Sequence, residues 1–141
     1  MKATKTFDQI EVGDRADFRK TIVENDINLF AEITGDLNPV HLDAEFAGKS
    51  VFGKKVAHGM LTGGLISTVL GTKLPGPGTI YLSQTLKFLR PVYPDDTIRA
   101  EVEVVEKIAS KNRLRLRTAC YNQKGELVLD GEAVVLRGKE V

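Results

Sequence analysis

The pattern of apolar and polar residues divides the chain into a helical first half and a strand-rich second half. Residues 15–22 alternate polar and apolar side chains, which predicts a short strand. Apolar residues recur at helical spacing over residues 23–33 and predict a helix that ends at Gly35. A further short helix is expected at 44–48, so the first half contains little strand.

The segment 57–70 is apolar on nearly every side, which predicts a buried helix. Gly63 and Gly64 lie within it and would let a sheet or a second chain approach closely. The Pro-Gly-Pro-Gly run at 75–78 predicts a loop. This helix is therefore expected at the centre of the molecule.

Four alternating runs follow and predict antiparallel strands, separated by clusters of turn-forming residues. The runs are Ile80 to Leu89, Ile98 to Val105, Arg113 to Tyr121 and Leu127 to Leu136. One buried helix and about five strands indicate an α+β fold, in which a curved antiparallel sheet wraps around the helix.

The 141-residue composition is that of one ordinary globular domain spanning 1–141, with 42% apolar and 28% charged residues. Lys and Arg total 20 against 19 Asp and Glu, so no nucleic-acid or membrane-surface partner is indicated. The single cysteine, Cys120, excludes an intramolecular disulfide and is predicted to be a core residue. We expect a cytoplasmic protein.

The segment from Asp36 to His41 places an acid and an imidazole five residues apart. Pro39 lies between them, so the segment is predicted to be irregular and able to aim both side chains at one point. Such a pair suits general acid–base catalysis on a single water. Alone, Asp36 would more often be a helix cap or an Asx-turn residue, and His41 a structural side chain. The combination favours catalysis.

The second informative position is Gly59, which follows His58 where the buried helix is predicted to begin. A backbone N–H at a helix N-terminus is free and favours negative charge, so Gly59 N–H could hold an oxyanion. The alternative is a simple turn glycine. His58 fits a structural role in fixing the loop better than a role as proton carrier.

A metal centre is not expected. Asp36, His41, Asp43 and His58 could approach one another, but their spacing matches no common zinc or iron site. The chain also has no glycine-rich loop of the kind that binds nucleotide phosphates.

Together these residues resemble the MaoC-like, or hydratase 2, family of (R)-specific enoyl-CoA hydratases. The motif consists of Phe30, then Gly35-Asp36-Leu37-Asn38-Pro39-Val40-His41, then Ala47. Ala57-His58-Gly59-Met60 matches the second signature of the family, and residues 74–81 resemble the loop after its central helix. The resemblance covers nearly the whole chain.

The resemblance implies a hot-dog fold, a homodimer and an acyl-CoA thioester substrate that needs no cofactor. It implies that Asp36 and His41 hold the attacking water while Gly59 N–H binds the thioester oxygen. Asp36 would take a proton from water and His41 would deliver one to C2, although the sequence does not fix which residue makes which transfer. Asn38, His58 and Ser67 are expected to contribute to substrate binding.

Three alternatives stay open. The nearest is a 3-hydroxyacyl-[acyl carrier protein] dehydratase, which would run the same chemistry in reverse on a protein-bound thioester. A hot-dog acyl-CoA thioesterase would direct water at the carbonyl carbon, and a non-catalytic subunit would only bind acyl-CoA. The Asp-x-Asn-Pro-x-His arrangement argues against both of these.

Overall fold

The computed structural model describes residues 5–138, so both ends of the predicted domain 1–141 lie outside the described residues. The described part contains helices and an antiparallel sheet, as the α+β prediction requires. The helices are α1 Glu24–Thr34, α2 Pro39–Leu42, α3 Ala44–Gly48 and α4 Gly59–Thr72. The strands are β1 Arg15–Thr21, β2 Ile80–Gln84, β3 Lys87–Phe88, β4 Thr97–Ile108, β5 Arg113–Tyr121 and β6 Leu127–Leu136.

The strands form one antiparallel sheet in the order β1-β4-β5-β6-β2, with β3 also paired to β6. Buried and less buried residues alternate along β4, so one face of the sheet is covered. Helix α4 packs against β1, β4 and β5 on this face. The predicted arrangement of a sheet around one helix is therefore present.

Helix α4 is buried along most of its length, as its apolar composition predicts. Gly63 is the point of close packing inside the chain, because a Cβ there would lie 3.3 Å from Leu86 Cδ1. Gly64 faces open space instead. The helix begins two residues later than predicted, since Ala57 N–H is bound to Val92 O in an extended segment. No helix within residues 5–138 is long and apolar enough to cross a membrane.

The prediction of one continuous strand over 80–89 is wrong. The run is divided into β2 and β3, with a register shift between Tyr81 and Ser83. Between the two strands the chain comes very close to β6, because a Cβ on Gly131 would lie 1.9 Å from Thr85 O. This close approach depends on a glycine in another strand, which the alternating pattern of 80–89 does not reveal.

The prediction that 36–41 is irregular is wrong in its second half, because His41 lies on the one-turn helix α2. Asn38 is the N-cap residue, and its Oδ1 accepts a hydrogen bond from Val40 N at 3.1 Å. Pro39 occupies the first helical position, where its missing N–H costs nothing and its fixed φ suits a helix. The residue that excludes a helix before it therefore starts one after it.

Cys120 is fully buried, which confirms the prediction of a core residue. Burial raises the pKa of its thiol to about 12, so the reactive thiolate is disfavoured.

Candidate active site

A cavity of about 430 Å³ opens between the segment carrying Asp36 and His41, the start of α4, and the strands β3 and β6. Most of its lining residues are apolar. They are Asp36, His41, Phe52, Val56, Ala57, His58, Gly59, Met60, Thr62, Phe88, Leu89, Arg90, Pro91, Val92, Val128 and Leu129. The cavity brings together Asp36, His41 and Gly59, the three residues predicted to perform the chemistry.

Asp36 forms a local turn and also lines the cavity. Its Oδ1 accepts a hydrogen bond from Asn38 N at 3.2 Å, which is the Asx-turn expected of an aspartate after glycine. Its own N–H donates to Thr34 Oγ1, also at 3.2 Å. The same residue lines the cavity and is exposed there. The turn therefore orients the carboxyl group without removing it from the cavity.

His41 is held by a hydrogen bond from its Nδ1 to Val56 O at 2.7 Å. A carbonyl oxygen only accepts, so Nδ1 carries the hydrogen and Nε2 of the neutral ring has a lone pair. Burial lowers the pKa of His41 below its ordinary value of 6.5. The hydrogen bond to Val56 and the charge of Asp36 oppose this shift, and His58 adds to it. His41 is accordingly a hydrogen-bond acceptor at neutral pH.

Asp36, His41 and His58 each place one potential ligand atom within 4.8 Å of the others. A single water can bridge a carboxylate oxygen and an imidazole nitrogen at such a separation. The two imidazoles lie against each other, with ring centroids 3.9 Å apart and planes inclined by 30°. The separation of the carboxylate oxygen and the imidazole nitrogens fits a shared water.

Gly59 is the first residue of α4, so its N–H lies outside the helical hydrogen-bond ladder. The position also lines the cavity, as an oxyanion donor must. A Cβ on Gly59 would lie 2.6 Å from Phe88 Cε1, which means that the aromatic ring rests directly over the start of the helix. Glycine therefore permits the close approach of Phe88 as well as that of a ligand.

His58 is 2% exposed, and its Nε2 lies 3.0 Å from Asp36 O. His58 borders the cavity, but its hydrogen bond is to the backbone oxygen of Asp36. The observed contact matches the loop-fixing role considered for His58. Direct contact of His58 with substrate stays a prediction.

Asn38 and Ser67 are not brought to the cavity of the single chain. The Asn38 side chain caps α2, and Ser67 is exposed on α4. Neither lines the cavity within the described residues 5–138. Their contribution to substrate binding stays a prediction.

The sequence pattern did not identify the walls of the cavity. Phe52, Phe88, Val128 and Leu129 line it, yet as apolar residues in strands or loops they resemble ordinary core residues. Arg90 also lines the cavity and pairs with Glu126 at 3.1 Å. The Arg-Pro dipeptide at 90–91 marks the end of a predicted strand but carries no indication of a site.

Comparison with known proteins places these features in a family. The family model of the MaoC like domain matches residues 8–123. The chain is 50% identical to a 3-hydroxybutyryl-CoA dehydratase of Methylorubrum extorquens, over 92% of this chain and 82% of that protein. It is 46% identical to an (R)-specific enoyl-CoA hydratase of Rhodospirillum rubrum, over 92% of this chain and 90% of the relative.

The fold matches a solved structure equally well. An R-hydratase from Pseudomonas aeruginosa, in its unliganded form, superimposes with a TM-score of 0.90 at 50% identity. The alignment covers 96% of this chain and 86% of that one. The hot-dog prediction is thereby confirmed, and the protein belongs to the MaoC-like family, whose named relatives here are hydratases and dehydratases.

Proposed function

We propose that the protein is an (R)-specific enoyl-CoA hydratase, which reversibly adds water across the 2,3 double bond of a trans-2-enoyl-CoA. The observation that carries the proposal is the placement of Asp36, His41 and Gly59 around one cavity. Asp36 and His41, which can both accept a hydrogen bond from water, thus line the same cavity as the N–H of Gly59 at the start of α4. The related hydratases and dehydratase support the same reaction class.

The thioester carbonyl is bound at Gly59, and the acyl chain lies along the apolar wall formed by Phe88, Val128 and Leu129. Attack of water at C3 moves the double-bond electrons towards the thioester oxygen and gives an enolate. A fixed N–H donor and the positive end of α4 stabilise this charge as it develops. One such donor typically contributes roughly 3–4 kcal/mol to transition-state stabilisation.

The attacking water donates one hydrogen bond to the Asp36 carboxylate and the other to Nε2 of His41. As the water oxygen bonds to C3, one O–H bond breaks and its proton passes to Nε2. The imidazolium then returns this proton to C2 of the enolate, which restores neutral His41. Asp36 keeps the water oriented and stabilises the transient positive charge on His41.

All atoms of the product come from water and the thioester, so no cofactor is required. The hydroxyl group and the proton are delivered from the side of the substrate on which Asp36 and His41 lie. The similarity to the (R)-specific enoyl-CoA hydratase of Rhodospirillum rubrum supports (R)-3-hydroxyacyl-CoA as the product.

The deciding experiment measures loss of the conjugated thioester absorbance when the protein is added to crotonyl-CoA. Chiral analysis of the product should give (R)-3-hydroxybutyryl-CoA, whereas the (S) product would overturn the assignment. Release of free CoA without hydration would indicate a thioesterase. A parallel assay with crotonyl-[acyl carrier protein] separates the dehydratase alternative, which predicts higher kcat/KM on the protein-bound substrate.

We also propose that two copies associate through the β2 edge of the sheet. Residues 80–83 are exposed on both faces of β2, although Ile80, Tyr81 and Leu82 are large and apolar. An exposed apolar edge strand is a template for pairing with another chain. The exposed side of α4 at Gly64 is open and would allow a second copy to approach.

A further inference from the structure

His58 packs against two aromatic rings. Its ring centroid lies 4.7 Å from that of Phe30 and 3.9 Å from that of His41. The side chain is 2% exposed, so water does not compete for its hydrogen bonds. One face of His41 is consequently supported by a ring that is itself fixed by packing.

The hydrogen bond of His58 defines its tautomer. Because Asp36 O is an acceptor, Nε2 of His58 carries the hydrogen and donates it across 3.0 Å. Nδ1 is buried and has no hydrogen-bond partner among residues 5–138. The bond to Asp36 is therefore the polar interaction that the structure assigns to this side chain.

His58 is also the N-cap residue of α4, a position where a side chain usually binds the first free N–H groups of a helix. Here the side chain makes no capping hydrogen bond. It is turned towards Asp36, which leaves the helix N-terminus at Gly59 available to a ligand. His58 thus adjoins Gly59 through the chain and binds the backbone oxygen of Asp36 through a hydrogen bond.

The other contacts of residues 36–41, called the catalytic segment below, show what the hydrogen bond from His58 to Asp36 contributes. Asp36 and Asn38 shape the turn through local hydrogen bonds, which do not fix its position relative to α4. Two bonds anchor the far end of the segment, from His41 Nδ1 to Val56 O at 2.7 Å and from Val56 N to Val40 O at 3.3 Å. At the Asp36 end the corresponding anchor is His58.

We propose that His58 is a positioning residue, which fixes the Asp36 backbone and the His41 ring relative to the N–H of Gly59. The inference rests on the proposed hydratase function. Loss of the His58 side chain would displace Asp36 and His41 from the N–H of Gly59. A displacement of about 1 Å can cost on the order of 10² in rate.

The test compares His58→Asn with His58→Gln. The Gln amide nitrogen stands the same number of bonds from the backbone as Nε2, so it can donate to Asp36 O, whereas the Asn amide is one bond too short. We expect kcat on crotonyl-CoA to fall about 100-fold in His58→Asn and by less than about tenfold in His58→Gln, with little change in KM. A merely structural role would not separate the two variants by kcat at equal melting temperature.

Wild-type activity is measured first, so that the two proposals fail separately. An inactive wild type would overturn the hydratase function, whereas an active wild type with kcat unchanged in His58→Asn would overturn the positioning role. Equal losses in both variants would also overturn it. If His58→Asn does not fold, Phe30→Leu removes the supporting ring without disturbing a buried polar group. It should lower kcat about tenfold, and unchanged kcat there would likewise overturn the role.

Discussion

The Nδ1–H of His41 donates to the carbonyl oxygen of Val56 across 2.7 Å, so the other ring nitrogen is the one that faces the reaction. The acceptor is a backbone atom, which does not titrate. The tautomer of His41 is consequently fixed by the fold. Burial lowers the pKa of the ring, and the same hydrogen bond to Val56 opposes part of that shift.

This arrangement predicts that activity is lost only at acid pH. Protonated His41 cannot accept a hydrogen from water, and burial lowers its pKa below 6.5. We therefore expect the loss of kcat/KM on crotonyl-CoA at acid pH to have its midpoint below pH 6.5. Thermal melts in the same buffers control for acid unfolding. A limb with its midpoint above 6.5 would contradict the environment described for His41.

Asp36→Asn should preserve the fold and remove most of the activity. Asparagine keeps the Asx-turn acceptor for Asn38 N, but it cannot supply the negative charge beside His41. We expect kcat/KM on crotonyl-CoA to fall by roughly 10²–10³, with an unchanged melting temperature.

Asp43→Asn is the matched control for this substitution. Asp43 Oδ1 caps α3 through the N–H groups of Glu45 and Phe46, and the residue does not line the cavity. The same chemical change in a second capping aspartate should leave activity near that of the wild type. Similar losses in both variants would mean that the effect of Asp36→Asn is structural.

Gly59→Ala should impair catalysis through Phe88. The added Cβ would lie 2.6 Å from Phe88 Cε1, so the ring must move and the cavity wall with it. We expect kcat/KM to fall about 10- to 100-fold while the protein still melts cooperatively. Gly71→Ala, on the same helix with nothing within 4 Å of its Cβ, should leave activity unaffected. Full activity in Gly59→Ala would show that Phe88 moves without consequence.

Leu82→Glu should disrupt the proposed dimer. Leu82 is 42% exposed in the edge strand β2, where a carboxylate would be placed against its counterpart in the second copy. Sedimentation velocity at micromolar concentration should show a dimer for the wild type and a shift towards monomer for the variant. Val12→Glu charges an apolar residue that is 61% exposed away from β2, and it should remain dimeric. A wild-type protein that sediments as a monomer would contradict the proposed dimer.

The spacing of apolar residues predicted the main helices and strands, because buried positions recur at a different interval in each type of element. The limits of β5 and β6 matched the alternating runs, and the apolar segment 57–70 overlapped the central helix Gly59–Thr72 with an offset of two residues. The divided strand at 80–89 was missed because its cause lies in another strand, at Gly131. Local pattern carries no information about such an approach between distant segments.

The sequence predicted the reactive residues of the candidate site but not the apolar walls of its cavity. Asp36, His41 and Gly59 lie in short motifs with a chemical rationale, and the structure brings them to one cavity. The apolar walls were missed because Val128 and Leu129 lie in a short apolar run at the start of β6 and resemble ordinary core residues. Whether such residues face a core or a cavity depends on what packs opposite them, which one sequence does not specify.

The position of β6 has a consequence for how the protein can be divided. The catalytic segment is complete by His41, but Val128 and Leu129 close the cavity from the last strand of the described chain. A chain cut before β6 would keep every proposed reactive group and lose one wall of the cavity, the surface proposed for the acyl chain. Catalytic competence should therefore be an all-or-none property, and two fragments divided at the turn before β6 would regain it only by reassembling.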